Sequence, residues 1–202
     1  MSGIEDVLRA GPAEATGRDR LDETVTEQAD HEGLVDVAWT EEDTPIGHIV
    51  LAATEKGLVT ISYRDADATL AVLAAKVSPR VLELPRRLDA ARHQLDEYFA
   101  GERTEFELPL DLALSAGFRR KVLRHLGRVP YGEVVTYKDL AVKAGSPAAS
   151  RAVGTTMATN PIPIVLPCHR VIRTGGDLGG YGGGLDAKRA LLALEGGASP
   201  LF

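Results

Sequence analysis

Apolar residues at every second position open the structured part of the chain: Val35, Val37 and Trp39 follow the period of a half-buried strand. Two further apolar runs, residues 46–53 and 57–63, flank the turn-forming Thr54-Glu55-Lys56-Gly57, which predicts an antiparallel meander. The rhythm then becomes helical. Residues 70–77 and 84–99 read as helices, and the second places Leu88, Ala91, Leu95, Tyr98 and Phe99 on one side before Gly101 stops it. Residues 106–110 form a short extended piece. Beyond it, Phe118, Val122, Leu123, Leu126 and Val129 give a helix one apolar face, ending before Pro130-Tyr131-Gly132. Thr136, with Asp139 three residues on, predicts a capped helix that Gly145 ends. Ser146-Pro147 predicts the start of another, a capping serine followed by proline at the first helical position. Residues 136–160 therefore outline a helix-turn-helix.

The chain has 202 residues, 44% of them hydrophobic and 26% charged, the balance of a globular protein. Its net charge of −6 hides a division: residues 113–202 carry 12 Lys+Arg against 5 Asp+Glu, and the rest carries 11 against 24. A basic half in an acidic chain points to a polyanion as that half's partner, or to two halves balancing each other. Three regions result: an acidic, flexible extension over 1–32 with a short helix near residues 4–10, an amino-terminal α/β part over 33–112, and a basic, mainly helical part over 113–202. No apolar run approaches the ~20 residues of a membrane span, and no basic cluster precedes an apolar core at the start; a cytoplasmic protein is expected.

The helix after Ser146 carries one long polar side chain, Arg151, among Ala148, Ala149, Ser150, Ala152 and Gly154. A helix reading the major groove offers several long polar side chains to base edges. Small residues instead allow close packing on another helix, or close approach to a narrow groove with one arginine reaching in. Cys168 is the single cysteine, which excludes an internal disulfide and cysteine-rich zinc frameworks. It lies in Leu166-Pro167-Cys168-His169-Arg170-Val171, where basic neighbours would favour a thiolate; a buried, inert thiol is the alternative. Residues 175–184 include seven glycines and read as a loop whose N–H groups approach a ligand closely, without the Gly-Lys-Ser/Thr of a phosphate loop. Side chains adjacent on an extended segment point to opposite faces, so His169 reaches Cys168 through a bend or a bridging water. Glu195, ending a predicted helix over 186–195, sits at the unfavourable end of the helix dipole, which fits either surface exposure or a partner such as His169.

The Pro167-Cys168-His169-Arg170 run resembles the active-site motif of O6-alkylguanine-DNA alkyltransferases. The resemblance covers about ninety residues of this sequence, taking in Pro130-Tyr131-Gly132-Glu133-Val134-Val135-Thr136-Tyr137, Arg151-Ala152-Val153-Gly154, Asn160-Pro161, Tyr181 and Glu195 in order. It is looser in Thr44-Pro45-Ile46-Gly47 and in residues 94–101. It implies an α+β protein: an amino-terminal antiparallel-sheet-plus-helix domain, ribonuclease H-like, followed by a winged helix-turn-helix domain. It further implies a monomer, with cooperative binding an option on DNA, that holds duplex DNA through the minor groove, rotates O6-alkylguanine out of the stack and moves the alkyl group irreversibly to Cys168, without a cofactor.

Carried over residue by residue, Arg151 would fill the vacated space, with Ser150, Ala152 and Gly154 beside it on the DNA. Tyr137 would turn the nucleotide and hydrogen-bond the leaving guanine. His169, Glu195 and a water would form the thiolate, and Asn160 would hold the neighbouring turn. Met157, Pro163 and Tyr181 would line the alkyl pocket, with the backbones of Cys168, Val171 and Gly182 contacting the base. Gly182 stands where the family has serine or alanine, Thr155 and Thr156 also depart from its pattern, and the cysteines of the structural zinc site found in some members are absent. Two other classes fit the residues: a helix-turn-helix regulator or lesion sensor with a structural Cys168, and a cysteine hydrolase using Cys168 and His169.

Overall fold

The computed structural model describes residue 26 and residues 28–196. The expected helix near residues 4–10 and most of the acidic extension lie outside the described residues. The chain divides between Val35 and Asp36 into two units. In the first, residues 28–31 are helical. The second holds every element described below.

The meander forms as its alternation and turns require: β1 (Val37–Thr44), β2 (Gly47–Thr54) and β3 (Gly57–Ser62) pair antiparallel. The two-residue side-chain period divides the sheet's load. Ile49, Leu51, Ala53, Leu58 and Ile61 join the main core, while Val37, Ala52 and Val59 join Leu73 of α1 (Ala66–Lys76) in a smaller cluster. The Asp65 side chain caps α1 by accepting from the amide of Ala68 at 2.8 Å. α1 then acts as a crossover and returns the chain alongside its starting strand: β4 (Val81–Glu83) pairs parallel with β1, so the order is β3-β2-β1-β4 and the sheet is mixed.

The helix expected over 84–99 is two pieces, a 3₁₀ turn at Pro85–Leu88 and α2 (Asp89–Phe99). The amide of Leu84 extends the sheet by donating to the carbonyl of Trp39 at 3.0 Å, and that tie delays the α-helix.

The basic part contributes α3 (Gly117–Leu126), β5 (Val135–Thr136), α4 (Tyr137–Lys143), α5 (Ser150–Ala158), β6 (Val171–Ile172) and α6 (Gly184–Leu194), with β5 and β6 paired in parallel. Thr136 and Asp139 form a reciprocal capping box at the start of α4. The following helix begins at Ser150, three residues later than Ser146-Pro147 predicts. The Ser146 amide is engaged in closing α4, through the carbonyl of Ala141 at 2.9 Å, and its own carbonyl accepts from Ala149 at 2.9 Å in a turn. The helix-turn-helix therefore has a longer turn, and α5 has no side-chain cap.

One apolar core runs through both parts, joining Leu51 and Leu95 to Leu123, Leu140, Val153, Ile164 and Leu191. Strand β3 is the seam. Its Leu58 exchanges backbone hydrogen bonds with Pro109 and Asp111, the expected extended piece running beside it. Further along, the Ile61 amide and the Thr60 hydroxyl both donate to the carbonyl of Pro161, each at 2.9 Å. Among the described residues no helix is long and apolar enough to cross a membrane.

The seam depends on a bare α-carbon. Gly57 has φ +130°, and a Cβ there would lie 2.1 Å from the carbonyl oxygen of Pro109. Gly101, at φ +77°, has open space around it. Gly101→Ala should cost about 1–2 kcal/mol of backbone strain. Gly57→Ala adds the steric conflict and should cost about 1–3 kcal/mol more, measured by urea unfolding of both variants.

Candidate active site

The approach to Cys168 is a forced turn. Ile164, fully buried and β-branched, has φ +73°, a conformation that such residues rarely adopt and that costs of order 1–3 kcal/mol. Asn160 holds the turn at both ends: its side-chain oxygen accepts from the amide of Ile162 at 3.2 Å, and its Nδ2 donates to the carbonyl of Leu166 at 2.7 Å. The turn delivers Cys168–Arg170 as a 3₁₀ turn rather than an extended strand. That bend brings the side chains of Cys168, His169 and Arg170 all into the interior.

Glu195, just past α6, is 5% exposed and receives five hydrogen bonds. His169 Nε2 lies 2.8 Å from its Oε1, Arg170 donates to both carboxylate oxygens at 2.8 Å, Tyr98 Oη donates at 2.7 Å and the Gly132 amide at 3.2 Å. Burial alone would raise the carboxyl, but the hydrogen bonds from His169 and Arg170 outweigh it, and its pKa falls to about 2. The ionised carboxylate fixes the imidazole tautomer: Nε2 carries the hydrogen toward Glu195, leaving Nδ1 with a lone pair. Nδ1 is buried and has no protein partner. Burial pushes the Cys168 thiol up to about 11, against the hydrogen bond of Asn160 and the charge of Lys188, and burial also pulls His169 down. The resting pair is a neutral thiol beside a neutral imidazole.

Lys188, on α6, is fully buried. Its Nζ donates to the carbonyl of Val171 at 2.6 Å and to that of Leu178, tying the strand after Cys168 to the glycine-rich loop. Desolvation lowers its pKa to about 8, so it remains charged at neutral pH. Cys168 lines a cavity of about 460 Å³ together with Met157, Asn160, Pro163 and Gly182, and with Thr60 and Tyr63 of the amino-terminal part. Among the described residues no cluster of His, Cys, Asp and Glu is arranged to hold a metal ion.

Two family models match the chain. The "6-O-methylguanine DNA methyltransferase, ribonuclease-like domain" covers residues 37–112, and the "6-O-methylguanine DNA methyltransferase, DNA binding domain" covers residues 117–197. The chain belongs to the 6-O-methylguanine DNA methyltransferase family. A methylated-DNA--protein-cysteine methyltransferase of Mycolicibacterium paratuberculosis is 47% identical over 158 residues, 78% of this chain and 92% of the relative. The Mycobacterium tuberculosis OGT crystallised in complex with DNA superposes with a TM-score of 0.68 at 39% identity, covering 78% of this chain and 92% of that one. An O6-methylguanine-DNA methyltransferase from Pyrococcus kodakaraensis superposes with a TM-score of 0.56 at 26% identity, covering 79% and 99%.

Of the residues that the alkyltransferase motif singles out, Met157, Asn160, Pro163, Cys168 and Gly182 line the cavity, while Val171 and Tyr181 lie outside its lining. The carbonyl of Val171 is engaged by Lys188. Tyr181 stands edge-on to His169, ring centroids 6.4 Å apart. Tyr137 is partly buried with its hydroxyl against Gly179, where a Cβ would come within 2.7 Å. On α5, Arg151 and Ala152 are exposed, and Ser150 and Gly154 are partly so. Sequence reasoning missed Tyr63, Tyr98 and Lys188, and assigned Arg170 no partner. The Arg170 guanidinium was readable only as a neighbour of the thiol; the 3₁₀ turn sends it instead to Glu195 and to the carbonyl of Val129 at 2.6 Å.

The Glu195 cluster predicts the acid response. Because its folded pKa lies near 2, below the ordinary 4.5, the stability it adds is complete above the ordinary value and is lost as pH falls toward 2. Glu195→Gln leaves Arg170 buried without its counter-charge and should cost about 3–5 kcal/mol at neutral pH. The variant should also lose stability less steeply than the wild type on acidification, read from urea unfolding across the acid range.

Proposed function

We propose that this protein repairs DNA directly, by moving an alkyl group from O6 of guanine onto its own Cys168. The observation that carries the reading is the arrangement at His169: Nε2 fixed on an ionised Glu195, and Nδ1 buried, unpartnered and next in sequence to a thiol that lines a cavity. Nδ1 takes the thiol proton, directly or through one water. The sulfur attacks the alkyl carbon in line with the C–O6 bond; the S–C bond forms, the C–O6 bond breaks, and its electron pair leaves with guanine. Tyr137 supplies the proton that neutralises the leaving base, and the proton held on His169 is returned through solvent. Thiol plus O6-alkylguanine gives thioether plus guanine, with no further reactant. The buried Lys188 ammonium and the Asn160 side chain both favour the thiolate as it forms. A thioether has no route back to thiol here, so each molecule reacts once.

On the DNA side, α5 presents Arg151 from a start of small residues, suited to lie in the minor groove while the damaged nucleotide is rotated into the cavity. The DNA-bound relative and the match to the family's DNA binding domain support a duplex as partner. The protein is expected to act as a monomer.

Intact-protein mass spectrometry after incubation with excess O6-methylguanine duplex should show one added methyl group, mapping to the Cys168 peptide, and none in Cys168→Ala. Repeated turnover would instead indicate a hydrolase. Binding without any label would leave a lesion sensor or regulator. A second expectation separates base rotation from simple phosphate contact. Arg151→Ala at saturating protein should react with duplex about 10-fold or more slowly, since filling the vacated stack offsets a few kcal/mol, yet should react with free O6-benzylguanine nearly as the wild type does. Equal slowing on both substrates, or full rescue by saturation, would contradict the stack-filling role.

A further inference from the structure

Tyr63 follows β3 directly and is partly buried in the wall of the Cys168 cavity, although it comes from the sheet and not from the motif-bearing part. Its hydroxyl lies 2.8 Å from that of Tyr181, and the two rings meet edge-on with centroids 5.7 Å apart. Tyr181 in turn stands edge-on to His169. The same Tyr63 ring covers the glycine-rich loop: a Cβ placed on Gly183 would lie 2.9 Å from it, and one on Gly182 would lie 3.8 Å from it. The ring is therefore packed against a stretch of loop with no side chains of its own.

Its place is fixed from behind. The Thr60 and Ile61 bonds to the carbonyl of Pro161 lock β3 onto the turn that positions Cys168, so Tyr63 and the thiol are registered to one backbone segment. The same cavity is lined by Ser62 of β3 and by Thr69 and Val72 of α1, so the Tyr63 ring shares one space with the thiol.

We propose that the Tyr63 ring is the specificity-determining wall of the alkyl pocket, setting the upper size of the group that Cys168 accepts. This rests on the alkyl-transfer reading above. A smaller side chain at this position widens the cavity that Cys168 lines and admits bulkier groups; a larger one narrows it and excludes them. The hydroxyl pair with Tyr181 holds the wall in place.

The test compares single-turnover rates of the full chain on two duplexes, one carrying O6-methylguanine and one O6-benzylguanine. Tyr63→Leu should raise the benzyl-to-methyl rate ratio by about 10-fold or more, the discrimination a hydrophobic pocket gains or loses with a few carbons. Tyr63→Trp should lower the same ratio. The Trp variant keeps an aromatic ring in the wall, so it carries the test by itself if Tyr63→Leu fails to fold. Equal slowing on both duplexes would mark Tyr63 as a structural prop and overturn the proposal, as would a ratio indifferent to residue 63. A wild-type protein that takes up neither group on Cys168 would overturn the alkyl-transfer reading itself, a result distinct from either.

Discussion

A carboxylate held away from water stays ionised only if donors replace the lost hydration, and Glu195 gathers them from three stretches of chain. Tyr98 comes from α2 in the sheet-bearing part, Gly132 from the loop after α3, and His169 and Arg170 from the turn that carries the cysteine. Each donor is itself committed. Arg170 also donates to Val129 and lies over the Tyr131 ring, 5.8 Å from its centroid, and Tyr131 closes back on the carbonyl of Leu194. Gly132 has φ +75°, and a Cβ there would sit 3.0 Å from the carbonyl oxygen of Glu195, so the loop can wrap the carboxylate only as glycine. The network that orients the imidazole thus also fastens the end of α6 to both parts of the protein.

The division of labour follows. The sheet is more than a scaffold placed beside a functional domain. Through β3 it holds the carbonyl of Pro161, through Tyr63 it completes the cavity, and through Tyr98 it helps to keep Glu195 ionised. A shared core across both parts makes these contacts rigid, so the thiol, the imidazole and the pocket wall keep fixed relative positions.

What the sequence made legible was local or periodic. The alternation of residues 35–39 and the turn at 54–57 define β1 to β3, and the Thr136–Asp139 pair defines its own capping box. Adjacency and family spacing singled out Cys168, His169 and Glu195. What escaped depends on partners far apart in the chain. Tyr98 and Glu195 are 97 residues apart, and Tyr63 and Tyr181 are 118 apart; no period or motif links them. Tyr98 reads as one more apolar residue on a helix face, because its hydroxyl is invisible to an amphipathic pattern. Lys188 carries no signal in the sequence, since nothing near it announces the two carbonyls it holds. The parallel β4 escaped for a related reason: three residues are too few to show a period, and only the α1 crossover decides the direction of pairing.

The buried thiol has a consequence for the lifetime of the molecule. A protein that acts once is a reagent, and its worth is the fraction of copies still unreacted when damage arises. With the Cys168 pKa near 11, almost every copy at rest carries the unreactive, protonated sulfur, shielded from peroxides and from stray electrophiles. The activating groups are already assembled around it, yet desolvation keeps the proton in place. Storage and readiness are combined in one pocket, and the loss of stock to chance oxidation is set by how rarely the buried thiol gives up its proton.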